Sequence, residues 1–315
     1  MTTPQSMDLG AFAHPALFYH STTEYLDCLV PFITEGLHAE QKVLVAVPGP
    51  NLAILREALG GAAAGVTMAD MTEAGRNPGR ILGSVLSRFA DQHAPHPVRM
   101  IGEPIWASRS EAEYPACVQH EALINNAFAG RDLTVLCPYD ATNLDPSVIA
   151  DARITHPELW HAGAKETSLA FAPNAVREHY NQPLPDSSTA VTYTVRKLSD
   201  LAGARVFAAA YARWFGLSPN AVSTLQLIAN ELAGSVQHTH GSCRLAFWCH
   251  DGHVICEARN SGCLDDELVG RRPYDNESPR GRGLFVVNAV ADLVRTYTVP
   301  KETTIRAYLR LEEAA

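Results

Sequence analysis

The sequence lacks an apolar run approaching the roughly 18 residues that a transmembrane helix needs, and its first ten residues lack the basic start and apolar core of a signal peptide. We therefore expect a cytoplasmic protein without a membrane partner. Lysine and arginine form no cluster and the formal net charge is -9, so no nucleic-acid partner is expected. The seven cysteines include no Cys-x-x-Cys pair, which is typical of reduced thiols in a cytosolic chain.

Apolar residues, by contrast, are plentiful: 46% of the chain is hydrophobic and 19% is charged, which is typical of a globular protein. The 315 residues are enough for two domains of ordinary size. Prolines and small polar residues interrupt the apolar pattern from about residue 161. We therefore predict a first domain over 1–162, a linker over 163–189 with one short helix near 174–180, and a second domain over 190–315.

Strand and helix patterns alternate through the first half, which predicts an α/β fold with a doubly wound, mostly parallel sheet and helices on both faces. Such a sheet binds ligands beyond the carboxyl ends of its strands. No Gly-x-x-x-x-Gly-Lys-Ser/Thr segment follows the first predicted strand, so a phosphate-binding loop is not expected there. The predicted elements are helix 22–37, strand 42–47, helix 51–59, strand 66–69, helix 78–92, strand 98–102, helix 113–128, strand 133–138 and helix 146–155.

Four short segments of this half carry a family resemblance: HPALFY at 14–19, GEPIW at 102–106, HEAL at 120–123 and LCPYD at 136–140. They resemble the MEDS sensory domain of the DcmR type. The resemblance implies a RecA-like fold converted from ATP hydrolysis to sensing, with hydrocarbon-related or one-carbon compounds as suggested ligands. The residues predicted to contact the sensory ligand are Glu103, Trp106, His120, Glu121, Cys137, Tyr139 and Asp140.

Four of these residues also have an interpretation without a ligand. Trp106 and Tyr139 could be aromatic residues of the core and its rim, and His120 with Glu121 could form a solvated helix turn. We favour a ligand role for the set as a whole over a role for any single member.

The second half begins with strand 190–195 and helix 201–215, which Gly216 should end. The next helix starts at Ser218-Pro219, with Ser218 as N-cap. A hairpin about Asp251-Gly252, helix 284–293 and two further strands complete a predicted two-layer α/β sandwich. Residues expected in its helix cores are Val206, Ala209, Ala210 and Trp214 in the first helix, and Val222, Leu225, Ile228, Leu232 and Val236 in the second.

The apolar residues of the second helix form a stripe along one face, and Glu231 lies on another face, where its side chain can point into a pocket. A strand ending at Asn260 runs into Gly262, and Gly281-x-Gly283-Leu284 opens a later helix. Glycine turns admit phosphates close to backbone N–H groups, and a helix N-terminus favours negative charge. We therefore predict a nucleotide pocket from the order of these features: a helical carboxylate, a hairpin, a polar lid over 264–279 and a second glycine turn. Arg271, Arg272 and Arg282 are available to contact phosphate.

This order of motifs resembles the ATPase domain shared by histidine kinases, gyrase-like ATPases and anti-sigma-factor serine kinases, and most of all the short anti-sigma type of actinobacteria. The resemblance implies ATP and magnesium as cofactors and Glu231 as general base. It places Gly281, Arg282, Gly283 and Leu284 on the phosphates, and Gly262 in the adenine motif.

Two positions depart from that family's pattern. Ser235 stands four residues after Glu231, where the family has a magnesium-binding Asn; in the alternative alignment, which matches residues 236–238 to the family's segment after that Asn, the Asn is simply missing. Asn260 stands where the family has the Asp that holds adenine. Magnesium has few protein ligands in such sites, and a neutral amide hydrogen bond is weaker than one to a carboxylate. We therefore predict weak or absent binding of ATP and magnesium.

Metal ligands form no identifiable set in the sequence, and no metal site is predicted. His238 and His240 lack further ligands and are expected near a helix C-terminus. Cys243, Cys249 and Cys256 are expected as small buried residues of the hairpin, with a redox or zinc cluster as the alternative.

Together these observations favour a transcription regulator of the anti-sigma type, a sensory domain joined to a degenerate ATP-binding domain. The resemblance implies a sigma factor or an anti-anti-sigma protein of the STAS type as partner, and a homodimer is common in this class. The alternative is an active protein serine kinase that phosphorylates the anti-anti-sigma partner, with Glu231 taking the serine proton.

Overall fold

The computed structural model describes residues 12–161, 163–234, 241–273 and 281–311. The chain divides into two compact units. One comprises the chain up to Gly75 together with Val85–Arg177, and the other comprises Arg76–Ser84 together with the chain from Glu178 onward. None of the described helices is both long enough and apolar enough to cross a membrane.

The first unit is built on a seven-stranded sheet whose strand order is β3-β2-β4-β5-β1-β6-β7, as an α/β fold requires. Every neighbouring pair is parallel except β6 and β7, which are antiparallel. Its elements are β1 (Pro15–Tyr19), α1 (Thr22–His38), β2 (Lys42–Val47), α2 (Gly49–Leu59), a 3-10 helix (Gly60–Gly65), β3 (Val66–Asp70), α3 (Met71–Ala74), α5 (Arg88–His93), β4 (Val98–Gly102), α6 (Tyr114–Ala127), β5 (Leu133–Asp140), α7 (Pro146–Thr155), β6 (Glu158–His161), β7 (Ala164–Thr167) and α8 (Pro173–His179).

Helices cover both faces of this sheet, as the unbroken apolar sequence of β2 predicted. Residues 43–47 of β2 are all buried, and successive side chains of a strand point to opposite faces. The face shared by Val43, Val45 and Leu136 packs with helices α1 and α2 in one core. Ser21 caps α1 by accepting a hydrogen bond from the Glu24 N–H at 3.2 Å.

Three strands were not predicted. β1 lies in the middle of the sheet between β5 and β6, and its five residues are all buried. β6 and β7 form an antiparallel pair at the sheet edge, and all four residues of β7 are exposed. β7 and α8 fall within residues 163–189, for which we predicted a linker with one short helix.

The second unit has a five-stranded antiparallel sheet of order β11-β12-β10-β9-β8 with helices packed on it, the layout of a histidine-kinase-type ATPase fold. A segment from between β3 and β4 belongs to this unit: it contains α4 (Pro78–Arg80) and the start of a π-helix (Ile81–Ser87). The remaining elements are β8 (Val191–Val195), a 3-10 helix (Leu198–Asp200), α9 (Leu201–Trp214), α10 (Pro219–Gly234), β9 (Cys243–His250), β10 (His253–Asn260), α11 (Arg282–Val290), β11 (Leu293–Val299) and β12 (Glu302–Arg310).

The local signals of the second unit were predicted correctly in α10 and the hairpin. The Ser218 hydroxyl accepts from the Ala221 N–H at 3.3 Å, and Asp251 and Gly252 both have positive φ, as a tight hairpin turn requires. The predicted stripe of α10 is buried at the four positions that the structure describes, Val222, Leu225, Ile228 and Leu232; Val236 lies outside the described residues.

The predicted core face of α9 was wrong. Val206 and Trp214 are 69% and 77% exposed, and Ala210 is exposed too, whereas Ala209 is buried as expected. The buried face of this helix is instead lined mainly by small residues, because these let it approach its neighbours closely: Ala204, Ala208, Ala209, Tyr211 and Ala212.

Candidate functional site

In the second unit, Glu231 and the glycine turn that opens α11 lie against each other. A Cβ added to Gly283 would lie 3.0 Å from the Glu231 Oε2 and 3.2 Å from its carbonyl oxygen. The carboxylate is half-buried, and its Oε1 accepts a hydrogen bond from the Asn230 side chain at 3.0 Å. The structure therefore brings the predicted base to the N-terminal turn of a helix, where negative charge is favoured.

The turn itself needs glycine for two reasons. Gly281 has a φ of 87°, which L-residues rarely adopt, and a Cβ there would lie 2.9 Å from a methyl carbon of Val269. Gly270 has a φ of 71°, and a Cβ on it would meet the Leu284 side chain at 2.5 Å. The described part of the predicted lid therefore packs directly on the glycine turn.

Asn260 stabilises the other predicted turn. Its Oδ1 accepts a hydrogen bond from the Gly262 N–H at 3.1 Å, and the Gly262 carbonyl accepts one from the Thr303 hydroxyl at 2.8 Å. One acceptor site of the amide is thus used inside the protein, where the resemblance implies an adenine-binding Asp.

The three arginines predicted to meet phosphate differ from one another. The Arg272 guanidinium is paired with Asp266, and Arg282 is exposed at the start of α11. The Nη1 of Arg271 is buried and has no hydrogen-bond partner within the described ranges, and burial lowers the pKa of this guanidinium to about 10. Ser235, the position of the family's magnesium ligand, lies outside the described residues.

A buried pair of asparagines in this unit was not predicted. The Asn77 side chain donates to the Asn288 carbonyl oxygen at 2.8 Å and accepts from the Val294 N–H at 3.2 Å. Asn288, on α11, donates in turn to the Gly270 carbonyl at 2.9 Å. Both side chains are almost fully buried, so this network fixes the segment from between β3 and β4 to the helix that follows the glycine turn.

In the first unit, a cavity of about 250 Å³ opens at the carboxyl ends of β1 and β5. This is the position at which an open α/β sheet binds ligands. Polar groups dominate its lining, which comprises Tyr19, His20, Ser21, Thr22, Tyr25, Asn51, Ile54, Asp140, Thr142 and Asn143.

Glu103 lies behind the cavity wall and receives four hydrogen bonds. The Tyr19 hydroxyl donates to Oε1 at 3.2 Å, the Tyr25 hydroxyl to Oε2 at 3.1 Å, and the Asn51 amide to both oxygens at 3.0 Å. Burial outweighs these hydrogen bonds and, with the nearby charge of Asp140, raises the pKa of Glu103 to about 7. The cavity is therefore backed by a carboxyl group that exchanges its proton near neutral pH.

The predicted sensory residues do not form one site. Asp140 lines the cavity and Glu103 backs it, whereas the Trp106 ring is half-buried under the guanidinium of Arg109, 3.8 Å from the ring centroid. Cys137 and Tyr139 alternate with Leu136 and Asp140 along β5, so they point to the opposite face of the sheet.

On that opposite face, His120 and Glu121 are only 2% and 1% exposed, so their interpretation as a solvated helix turn was wrong. Tyr139 is a core residue, as one of the two interpretations held. Glu121 and Cys137 lie beside two histidines that were not predicted, His14 and His156. The four residues come from distant parts of the sequence. His14, Glu121 and Cys137 stand in three of the segments that carry the family resemblance, whereas His156 lies outside them.

The cysteines of the hairpin are part of the core of the second unit. Cys243 and Cys256 are fully buried, and burial raises the pKa of the Cys243 thiol to about 12. Across the described ranges, the only cluster of three or more metal-ligating side chains is the one that contains Glu121 and Cys137.

Two family models match the chain. Residues 13–157 match the model described as MEDS, the methanogen/methylotroph DcmR sensory domain. Residues 194–309 match the model of the histidine kinase-like ATPase domain.

Comparison with solved structures finds a chain of the SiaB–SiaC complex from Pseudomonas aeruginosa. It is 16% identical to this sequence, with 38% of this chain and 88% of that chain covered, and the TM-score is 0.32. No curated protein matches the sequence.

Proposed function

Because the chain carries a MEDS sensory domain followed by a histidine kinase-like ATPase domain, we propose that it is an anti-sigma-type regulator that acts by binding a sigma factor or its antagonist. In this proposal the first unit binds a small molecule and the second binds the protein partner. The close approach of Glu231 to Gly283 carries the proposal, because a carboxylate beside a glycine turn that opens a helix fits a nucleotide site.

The nucleotide site is proposed to be degenerate. The amide ligand for magnesium is replaced by Ser235, and the Oδ1 of Asn260 already accepts the Gly262 N–H. In addition, Val269 and Gly270 pack against Gly281, so the turn is covered by its own chain. Phosphoryl transfer depends on positioning and on metal charge, and both are weakened here.

The cavity beside Glu103 is proposed as the sensory site. Its volume of about 250 Å³ suits a small molecule, and hydroxyl, amide and carboxyl groups dominate its wall. The carboxylate of Asp140, which lines the cavity at the strand end, favours a ligand that donates hydrogen bonds.

Signal transfer is proposed to use residues 76–84. This segment belongs to the second unit, yet the chain on both sides of it belongs to the first unit: α3 precedes it, and the end of the π-helix and α5 follow it. Asn77 fixes it to Asn288 of α11 and to the N–H of Val294. A ligand that favours one arrangement of the first-unit chain on either side of this segment would therefore change the free energy of the helix that follows the glycine turn. Asn77→Ala should weaken this coupling.

An active serine kinase is the second candidate, because Glu231 is retained beside the turn in the position of a general base. In that case the chain would bind ATP with magnesium and transfer the γ-phosphate to a serine of its partner.

A pull-down with the full chain as bait, followed by mass spectrometry, tests the proposal. We expect a sigma factor or a STAS-type protein to be enriched, with and without ATP, and the Asn77→Ala chain to lose any ligand dependence of this binding. Enrichment of neither class, or capture that needs ATP hydrolysis, would contradict the proposal; incubation of the captured protein with labelled ATP then identifies a kinase.

A further inference from the structure

A buried cluster of four ligating side chains lies between the sheet of the first unit and helices α6 and α7. His14 precedes β1, Glu121 lies on α6, Cys137 on β5, and His156 at the end of α7. Their exposed fractions are 0%, 1%, 1% and 0%. One ligating atom of each lies within 4.8 Å of those of the others.

Both histidines present a nitrogen to the centre of the cluster. The Nδ1 of His156 lies 2.8 Å from the Ala152 carbonyl oxygen, which can only accept, so this nitrogen carries the proton. The Nδ1 of His14 lies 3.2 Å from the Asn125 Oδ1, and the Nδ2 of that amide points to backbone carbonyls. In the neutral rings each Nε2 therefore directs a lone pair at the carboxylate of Glu121, the arrangement in which metal-ligating histidines are held.

Among the described residues, no lysine or arginine pairs with Glu121, and its only ion-pair contacts are with the imidazoles of His14 and His156. Neither oxygen of Glu121 has a well-formed hydrogen bond, and the His156 Nε2 has none, within the part of the chain that the structure describes. Buried carboxylates and imidazoles normally have hydrogen-bond partners, because leaving such groups unpaired in a protein interior is costly. A cation between them would satisfy the carboxylate and both lone pairs at once.

The separations fit a tetrahedral ion. With zinc bonds of about 2.0–2.1 Å to N or O and about 2.3 Å to S, neighbouring N and O ligands are about 3.3 Å apart and an S–N pair about 3.6 Å. The Glu121 Oε2 lies 3.3 Å from the His14 Nε2 and 3.2 Å from the His156 Nε2. The Cys137 Sγ lies 3.5 Å from the His14 Nε2. All four ligating atoms lie within 4.8 Å of one another, so the pair that is farthest apart would have to approach by no more than about 1.5 Å on binding.

We propose that His14, Glu121, Cys137 and His156 bind one zinc ion. Two imidazoles, a carboxylate and a thiolate suit zinc among the common divalent ions, and four protein ligands without access to solvent define a structural site. Binding releases the thiol proton of Cys137 to solvent and leaves a neutral complex, because the charges of thiolate and carboxylate cancel that of the ion. The ion joins α6 and α7 to the two central strands β1 and β5 and so stabilises the sensory unit.

Metal analysis of the full chain, purified without an affinity tag of histidines, tests the site. We expect about one zinc per chain by mass spectrometry, and a chelator should lower the melting temperature of the first unit. Glu121→Gln and Cys137→Ser should each weaken zinc binding at least about ten-fold, because even loss of an outer partner costs about 10–100-fold.

Cys117→Ser is the matched control, since Cys117 is also a buried cysteine of this unit but its Sγ faces the Pro104 carbonyl at 3.7 Å. It should retain the zinc, as should a chain with His238→Ala and His240→Ala. When cobalt replaces zinc in the wild-type chain, we expect the absorption of a tetrahedral cobalt–thiolate centre, and this absorption should be absent from Cys137→Ser. The wild-type spectrum tests the site without relying on the folding of any variant.

Wild-type protein folded in zinc-containing medium but free of bound metal would overturn the proposal. So would zinc that survives unchanged in both Glu121→Gln and Cys137→Ser, or a cobalt spectrum that Cys117→Ser abolishes and Cys137→Ser does not.

Discussion

Replacement of Glu103 by Gln should abolish a pH dependence of stability that the wild-type first unit possesses. The carboxyl group is 3% exposed, and burial, as the main cause, raises its pKa from 4.5 to about 7 despite the hydrogen bonds from Asn51, Tyr25 and Tyr19. Each pH unit of difference between folded and unfolded pKa corresponds to about 1.4 kcal/mol, so the full effect is about 3 kcal/mol.

The sign follows from proton binding. Between pH 4.5 and about 7 the unfolded chain has lost the Glu103 proton while the folded chain keeps it, so rising pH favours unfolding. The stabilisation is therefore complete below pH 4.5, is lost progressively up to about pH 7, and changes no further above that. This is opposite to the behaviour of a salt-bridged carboxylate, whose pKa is lowered on folding.

Urea denaturation of the full chain at several pH values between 5 and 8 measures the effect. Trp214 and Trp248 of the second unit are replaced by Phe in every chain compared, so that the fluorescence of Trp106 and Trp160 reports on the first unit. Wild-type and Glu103→Gln chains share every other titrating group, so the difference between their two pH profiles isolates Glu103. Glu111→Gln, at an exposed position, is the control. A wild-type profile parallel to that of Glu103→Gln across this range would refute the reasoning.

Two further substitutions test the second unit. Gly281→Ala should cost at least about 1–2 kcal/mol in urea denaturation, because its φ is 87° and a Cβ would press on Val269, whereas Gly234→Ala, in open space, should cost nothing. A Gly281→Ala chain as stable as wild type would contradict the conformation of the turn. Glu257→Ala should lower the free energy of unfolding by about 3–5 kcal/mol, because it removes the carboxylate that lies 2.5 Å from the buried guanidinium of Arg306. A decrease below about 1 kcal/mol is typical of a solvated ion pair and would contradict this reasoning.

The alternation of strands and helices was enough to predict both fold classes, and its failures have physical causes. β7 has no apolar residue pattern because all of its residues are exposed, and it exists as a strand through its pairing with β6. β1 is a short strand that begins at a proline, a residue that the sequence pattern associates with strand edges and turns. Two faces of α9 carry apolar residues. The face with the alanines is buried because small side chains allow close packing, and the face with Val206 and Trp214 is exposed.

The nucleotide motifs were visible in the sequence because each is local: a helix turn with Glu231 and a glycine turn before a helix. The clusters around Glu103 and Glu121 are not local. Parallel pairing of β1 with β5 places Ala16 beside Cys137 and Tyr19 beside Asp140, so two separate sites arise on the two faces of the same strand pair. The sequence does not reveal which residues of β1 and β5 are paired, and without this register the residues of the two sites cannot be told apart.

The central claim, that the ATPase-like domain has lost nucleotide affinity through two side chains, is tested most directly by calorimetric titration of the full chain with ATP and magnesium. Wild-type protein should bind weakly or not at all, and a chain with Ser235→Asn and Asn260→Asp should bind at least about ten-fold more tightly, a gain of about 1.4 kcal/mol from the restored metal ligand and charge-assisted hydrogen bond. Tight, magnesium-dependent binding of ATP by the wild-type chain, unchanged by the double substitution, would contradict it.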